Sequence, residues 1–139
     1  MSLYKNYATD TNKEVNGAEV TFEANDDGTV PTFIVARIGD TNKEYMKALR
    51  TATKPFQRQI DLKTLHPDKD AAIFLDVFLS SILKGWSNVQ DENSTAIPYT
   101  KENATKLFTD LPDVFKEIQM QASAAALFRK TVLEDQAKN

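Results

Sequence analysis

The stretch Asp68–Trp86 reads DKDAAIFLDVFLSSILKGW, and its spacing decides the fold class. Phe74, Phe78, Ile82 and Trp86 recur at i+4, and Leu75, Leu79 and Leu83 form a second stripe beside them. Two adjacent stripes give an apolar face wider than a surface helix requires. The pattern predicts a central helix over about 68–86, covered on most of its sides. Pro67 suits a first helical position, and Asp68 and Asp70 complement the positive end of the helix dipole. Asp76, Ser80 and Ser81 interrupt the run, which is too short and too polar to cross a bilayer.

Working outward toward the N-terminus, Thr41-x-x-Glu44 has the spacing of a capping box. A helix is expected from about Asn42 to Thr53, with Tyr45, Ala48, Leu49 and Ala52 on one side and Pro55 ending or kinking it. Phe56, Ile60, Leu62 and Leu65 suggest one or two further helical turns. Before these lies a β pattern over about 19–38. Val20, Phe22 and Ala24 alternate with polar residues, and Thr32–Ile38 is rich in β-branched residues. Asn25-Asp26-Asp27-Gly28 between them is a turn signal, so the segment reads as a hairpin. Pro31 has no N–H and belongs at an edge or a strand start. Two strands alone are marginal in water, so the hairpin needs the helices or a second copy to pack on. Residues 1–17 carry little apolar pattern and read as a mobile arm.

Working toward the C-terminus, residues 87–99 read as a polar loop flanked by Trp86 and Tyr99. Thr100 should cap a helix with Glu102 in its first turn and Ala104, Leu107, Phe108 and Leu111 buried. Asp110 and Pro112 then punctuate. A last helix follows, with Val114, Phe115, Ile118, Ala122, Ala125 and Val132 in helical register. Small residues at 123–126 would let a neighbour approach closely. The expected fold is α+β and predominantly helical, with four to five helices around the central one and an N-terminal hairpin. One domain spans 18–134, and 135–139 form a frayed tail.

Composition narrows the chemistry. Among 139 residues there is no Cys and one His, so disulfides, Cys-ligated zinc and Cys nucleophiles are excluded. Any His-dependent triad would need His66. The four Gly are scattered, so no phosphate-cradling loop exists. His66 lies near Asp68 and Asp70, but no second His or Cys could complete a metal site there. Asp91, Asn93, Thr95 and Glu102 fall in a calcium-loop register, yet Ala96 stands where that loop needs Gly. A turn followed by a helix start is the simpler reading. Asp26 and Asp27 suit a hairpin tip better than a general acid and base. No catalytic, cofactor-binding or metal-binding residue is expected. Met1–Asn6 lacks the apolar core of a signal peptide, and a cytosolic location is expected.

The net charge of -3 conceals a division along the chain. Residues 1–42 carry three basic and seven acidic residues, 43–63 six and two, and 64–139 eight and eleven. Within the basic segment Lys43, Lys47, Arg50, Lys54 and Arg58 are three or four apart and would form one stripe. The stripe reads as a solvated helix face opposite Tyr45 and Leu49, or as a dock for an acidic protein. Nucleic acid ranks last, because no aromatic residues interleave with the bases. Trp86 reads as a core anchor for the loop, or else as a ring presented to a partner.

The sequence Ile82–Asn93 followed by Ile97-Pro98-Tyr99-Thr100-Lys101-Glu102-Asn103 resembles the tail assembly chaperones of long-tailed bacteriophages. That family has a helix ending in Trp, an acidic turn, an apolar-Pro-aromatic-Ser/Thr step and a Glu-Asn helix start. Leu107-Phe108, Leu111-Pro112 and Phe128 continue the likeness, and Ala36-Arg37, Asn42, Tyr45, Leu49, Pro55 and Arg58 extend it upstream. The departure is the turn, where Asn93-Ser94-Thr95 lacks the family's usual Gly. The resemblance implies a non-enzymatic protein that binds the tape measure protein, recruits tail tube subunits, and is absent from the finished virion. Many such chaperones also exist as a longer, frameshifted form. It implies action in the host cytoplasm during infection or prophage induction, with no cofactor, nucleic acid or membrane partner. The alternative is a small structural tail or head-tail connector protein retained in the virion.

Overall fold

Val20 and Phe33 sit opposite each other in an antiparallel pair, and both are buried. They belong to β1 (Ala18–Thr21) and β2 (Thr32–Val35), which form the expected hairpin in a computed structural model that describes residues 2–130. The hairpin bend lies where the turn signal placed it. The Gly28 N–H donates to the Asn25 carbonyl at 2.9 Å, with Gly28 at φ 86°, a conformation that costs glycine little. Pro31 immediately precedes β2, where its missing N–H breaks no ladder bond.

The partner of the hairpin is a third strand, and here the central-helix expectation is corrected. The helix α5 starts at Pro67 as expected but ends at Val77. A π-helical turn follows over Phe78–Ile82, then β3 over Leu83–Ser87. The sheet order is β1-β2-β3, with both pairings antiparallel. Trp86 is therefore a strand residue opposite Phe33, not a helix end. Two local causes are visible. The Ser80 and Ser81 hydroxyls both donate to the Val77 carbonyl, at 3.1 and 2.7 Å, competing with the helical ladder. Gly85 then weakens any further helix. A register shift between Ile34 and Val35 accommodates Lys84, whose Nζ reaches Glu44 at 3.3 Å.

Two short helices, α1 (Leu3–Tyr7) and α2 (Thr11–Asn16), occupy the stretch expected to be a mobile arm. Asp10 caps α2 by accepting from the N–H groups of Asn12 and Lys13. The segment is tied to the far end of the chain, since Asp10 N donates to Phe128 O at 2.7 Å and Lys130 N to Ala8 O at 3.2 Å. The polar sequence concealed this docking because it rests on backbone bonds and on one buried carboxylate, Glu14.

Helix α3 (Lys43–Thr53) begins one residue later than a Thr41 cap would place it, because Asn42 caps it instead. A 3-10 turn, Lys54–Phe56, holds Pro55 and leads into α4 (Gln57–Asp61). Thr100 caps α6 (Lys101–Asp110) as expected, its hydroxyl oxygen accepting from Asn103 N at 3.0 Å. Pro112 opens α7 (Pro112–Ser123). Leu111, expected on the buried face, is 49% exposed, because its non-helical backbone between α6 and α7 turns it outward. The last helix ends before Ala125, which lies in a 3-10 turn reaching Phe128. Helix α2 approaches this turn, with Asp10 N at its cap donating to Phe128 O, and just before it Ile38 N donates to Ala122 O at 2.9 Å. Val132 and the expected tail lie outside the described residues.

An aromatic cluster runs through an otherwise mostly aliphatic core. Phe108 and Phe115 stack at 4.6 Å, and Phe78 meets them edge-on at 6.0 and 5.0 Å. Phe33 links this cluster to Trp86 at 5.7 Å, and Trp86 meets Tyr99 at 5.1 Å. Such edge and offset contacts add to area burial. The chain of rings connects the centre of the molecule to the loop before α6. Overall the fold is α+β and predominantly helical.

Candidate protein-docking surface

Helix α3 has two chemically opposite faces. Tyr45 is buried, with Ala48, Leu49 and Ala52 packed against the core beside it. On the other side Lys43, Lys47 and Arg50 point to solvent, Lys54 follows in the 3-10 turn, and Arg58 continues the row on α4. All five are exposed, and among the described residues none forms an ion pair. Lys54 keeps helical dihedrals at φ -52° and ψ -46°, whereas Phe56 at φ -112° and ψ 8° breaks the helix, so Arg58 follows on a separate short helix. The one acid on α3, Glu44, is engaged by Lys84.

A groove of about 420 Å³ runs beside this stripe, between α3 and the α5–π-turn segment. Ala48, Thr51 and Ala52 form one wall, and Val77, Ser80 and Ser81 the other. Lys47 stands at its rim, and Asp76 across from it is held by Lys101 at 2.8 Å. The groove was not legible beforehand, because it depends on the π turn. The adjacent serines inside an apolar run were its only sequence signal.

The start of α3 is fixed by a polar cluster that spacing alone could not reveal. Asn42 is 1% exposed. Its Oδ1 accepts from Tyr45 N at 3.2 Å, while its Nδ2 donates to Arg37 O at 2.9 Å and to Glu14 O at 3.4 Å. Thr41 does not cap; it donates to Glu14 Oε2 at 2.7 Å. Arg37 reaches the same carboxylate at 3.4 Å, and Thr9 bonds its other oxygen. Burial pushes the Glu14 pKa up, but the two hydroxyls and the guanidinium outweigh it and hold the pKa below the usual value.

Trp86 and Tyr99 come together, and each is half-buried. Trp86 Nε1 donates to Ile97 O at 2.8 Å, and the Tyr99 hydroxyl donates to Leu83 O at 3.2 Å. Burial raises the Tyr99 pKa. These two bonds staple the loop to β3, which is the anchoring role weighed for Trp86. Pro98 and Glu102 are exposed, and Asn103 Nδ2 donates to Pro98 O at 2.9 Å, fixing the step into α6.

The residues in calcium-loop register do not converge. Asp91 Oδ1 accepts from Asn93 N and Thr95 N at 2.8 and 3.0 Å, a side-chain turn, and Glu102 is separate in α6. His66 caps α5, its Nδ1 accepting from Asp68 N at 3.1 Å. Among the described residues no group of three or more His, Asp or Glu is placed to hold a metal ion. None of their helices is long and apolar enough to cross a membrane.

Residues 40–139, from just before α3 onward, match a family model described as YdaY prophage protein. No curated protein and no solved structure matches the chain. The matched span contains the stripe, the groove, the third strand and the stapled loop. Covering well over half of the sequence, it shows that the chain belongs to the YdaY prophage protein family.

Proposed function

We propose that this prophage protein is a tail assembly chaperone. It would bind the tape measure protein transiently, recruit tail tube subunits and leave before the virion is complete. The observation that carries this reading is the set of five exposed cations on α3, the 3-10 turn and α4, none of them in an ion pair among the described residues. An unpaired row on rigid helices attracts an acidic surface without paying for internal pairs to be broken, and salt-sensitive contacts release readily. A long helical client offers many such contacts, and avidity compensates for the weakness of each. The prophage family supplies the phage setting, and the motif order from Trp86 to Asn103 supplies the likeness to tail chaperones. On this reading the protein works without enzymatic chemistry, in the host cytoplasm.

The test is co-expression with the tape measure protein encoded nearby, followed by pull-down. Lys47→Glu, Arg50→Glu and Lys54→Glu together should abolish capture while leaving helical circular dichroism and the melting curve unchanged. Capture unaffected by the reversal would remove the stripe from the mechanism. Mass spectrometry of purified particles supplies the second arm. Stoichiometric copies there would replace the chaperone with a structural tail or connector subunit.

A further inference from the structure

We infer that copies of this chain associate head to tail, the acidic hairpin end of one seating on the basic α3–α4 face of the next. Residues 18–36 and 85–100 contain six acids and no Lys or Arg. Glu23, Asp26, Asp27, Asp91 and Glu92 lie toward the hairpin bend and its neighbouring loop, whereas Glu19 pairs with Ile34 nearer the other end of the strands. The fold brings the two segments together. Asn25 Nδ2 donates to Asn88 O at 2.8 Å, Asn88 Nδ2 to Val30 O at 3.1 Å, and Gln90 Nε2 to Asp27 Oδ2 at 3.1 Å. The hairpin tip and the 88–91 loop therefore form one braced acidic end. Lys106, the cation on α6 that acts on Glu92, is itself held by Asp110 at 2.6 Å.

The complementary face is the stripe, and the two lie at opposite ends of β2. Thr32 leaves the hairpin bend, whereas Val35 leads through Asn42 into α3. One molecule cannot bring its own ends together without bending the sheet, but a second copy satisfies both at once. Each end also carries an exposed apolar residue, Val30 beside the tip and Leu62 just past α4. These can exclude water at the centre of an otherwise charged contact. Because the two patches differ, the contact is heterologous and propagates into chains or rings rather than closing as a twofold dimer.

The proposal goes beyond the chaperone reading, and its failure would leave that reading intact. Its test is sedimentation of the full chain at about 0.02 M and about 0.5 M salt, where screening differs severalfold in range. The expected result is mass that grows with concentration at low salt and a monomer at high salt. Two reversed variants sharpen it, K47E/R50E on the stripe and E23K/D26K at the tip, both at exposed positions. Each alone should be monomeric at low salt, with at least about a tenfold loss of association. Mixed together they should associate again, since each supplies the sign the other lacks. A parent that stays monomeric at low salt, reversed variants that associate as the parent does, or a mixture that stays monomeric would each overturn the proposal.

Discussion

The Thr41 hydroxyl donates to the Glu14 carboxylate at 2.7 Å, so a residue expected to cap α3 instead ties it to a helix 27 positions earlier. Glu14 is the anchor of the N-terminal segment, and its ionisation matters for stability. Burial opposes the charge, but Thr9, Thr41 and Arg37 together favour it, and the folded pKa falls below 4.5. A lowered pKa contributes stability above the unfolded value, lost as pH falls through the folded one. Glu14→Gln should therefore be less stable than the parent at neutral pH, and the gap should narrow below pH 4.5. Urea unfolding at several pH values measures it. A gap independent of pH would show that shape, not charge, holds the segment.

Asn42 and Thr41 make a second contrast. Asn42→Ala removes the cap of α3 and two donors to backbone carbonyls, so it should cost about 2–3 kcal/mol. Thr41→Val removes one bond to Glu14, with Thr9 and Arg37 left on that carboxylate, and should cost about 1 kcal/mol. Equal losses in chemical denaturation would restore Thr41 as a capping residue.

Phe78 tests the aromatic core. It is fully buried, and its ring touches Phe74, Phe108 and Phe115. Phe78→Ala should cost about 3–5 kcal/mol in the same measurement. A loss under about 1 kcal/mol would mean that the neighbouring rings collapse into the space.

Phe78 also marks where the sequence stops being legible. Up to Val77 the i+4 spacing and the helix agree. Beyond it the same apolar residues serve a π turn and a strand. Ile82, Leu83 and Trp86 satisfy helical spacing and are also half of a strand pattern, and periodicity alone does not separate these in a short run. Gly85 and the Ser80–Ser81 pair were the discriminating signals, and they act through backbone hydrogen bonding, not hydrophobicity. The hairpin, the Thr100 cap and the Pro67 and Pro112 helix starts were readable because each depends on neighbours in sequence. The Glu14–Asn42 cluster was not, because its members converge only once the sheet has formed. The basic stripe was readable as spacing on one helix. The groove beside it needed the second wall.

Gly17 and Ser94 hold left-handed backbone with opposite fits. Gly17 is at φ 118°, and a Cβ there would lie 2.5 Å from Ile34 Cγ2. Gly17→Ala should cost about 1–3 kcal/mol, from backbone strain and from displacement of a β2 side chain. Ser94 is at φ 61° in the Asp91 turn, where a side chain costs about 1–2 kcal/mol. Ser94→Gly relieves that cost and adds about 0.4–1 kcal/mol of unfolded-state entropy. The net gain should be about 0.5–1 kcal/mol, read as a higher urea midpoint with unchanged slope. The turn's other bonds remain, since Ser94 contributes its backbone N–H to Asp91 O at 3.0 Å and that donor survives the substitution. A destabilised Ser94→Gly would show that the lost freedom of the unfolded chain outweighs the strain at this position.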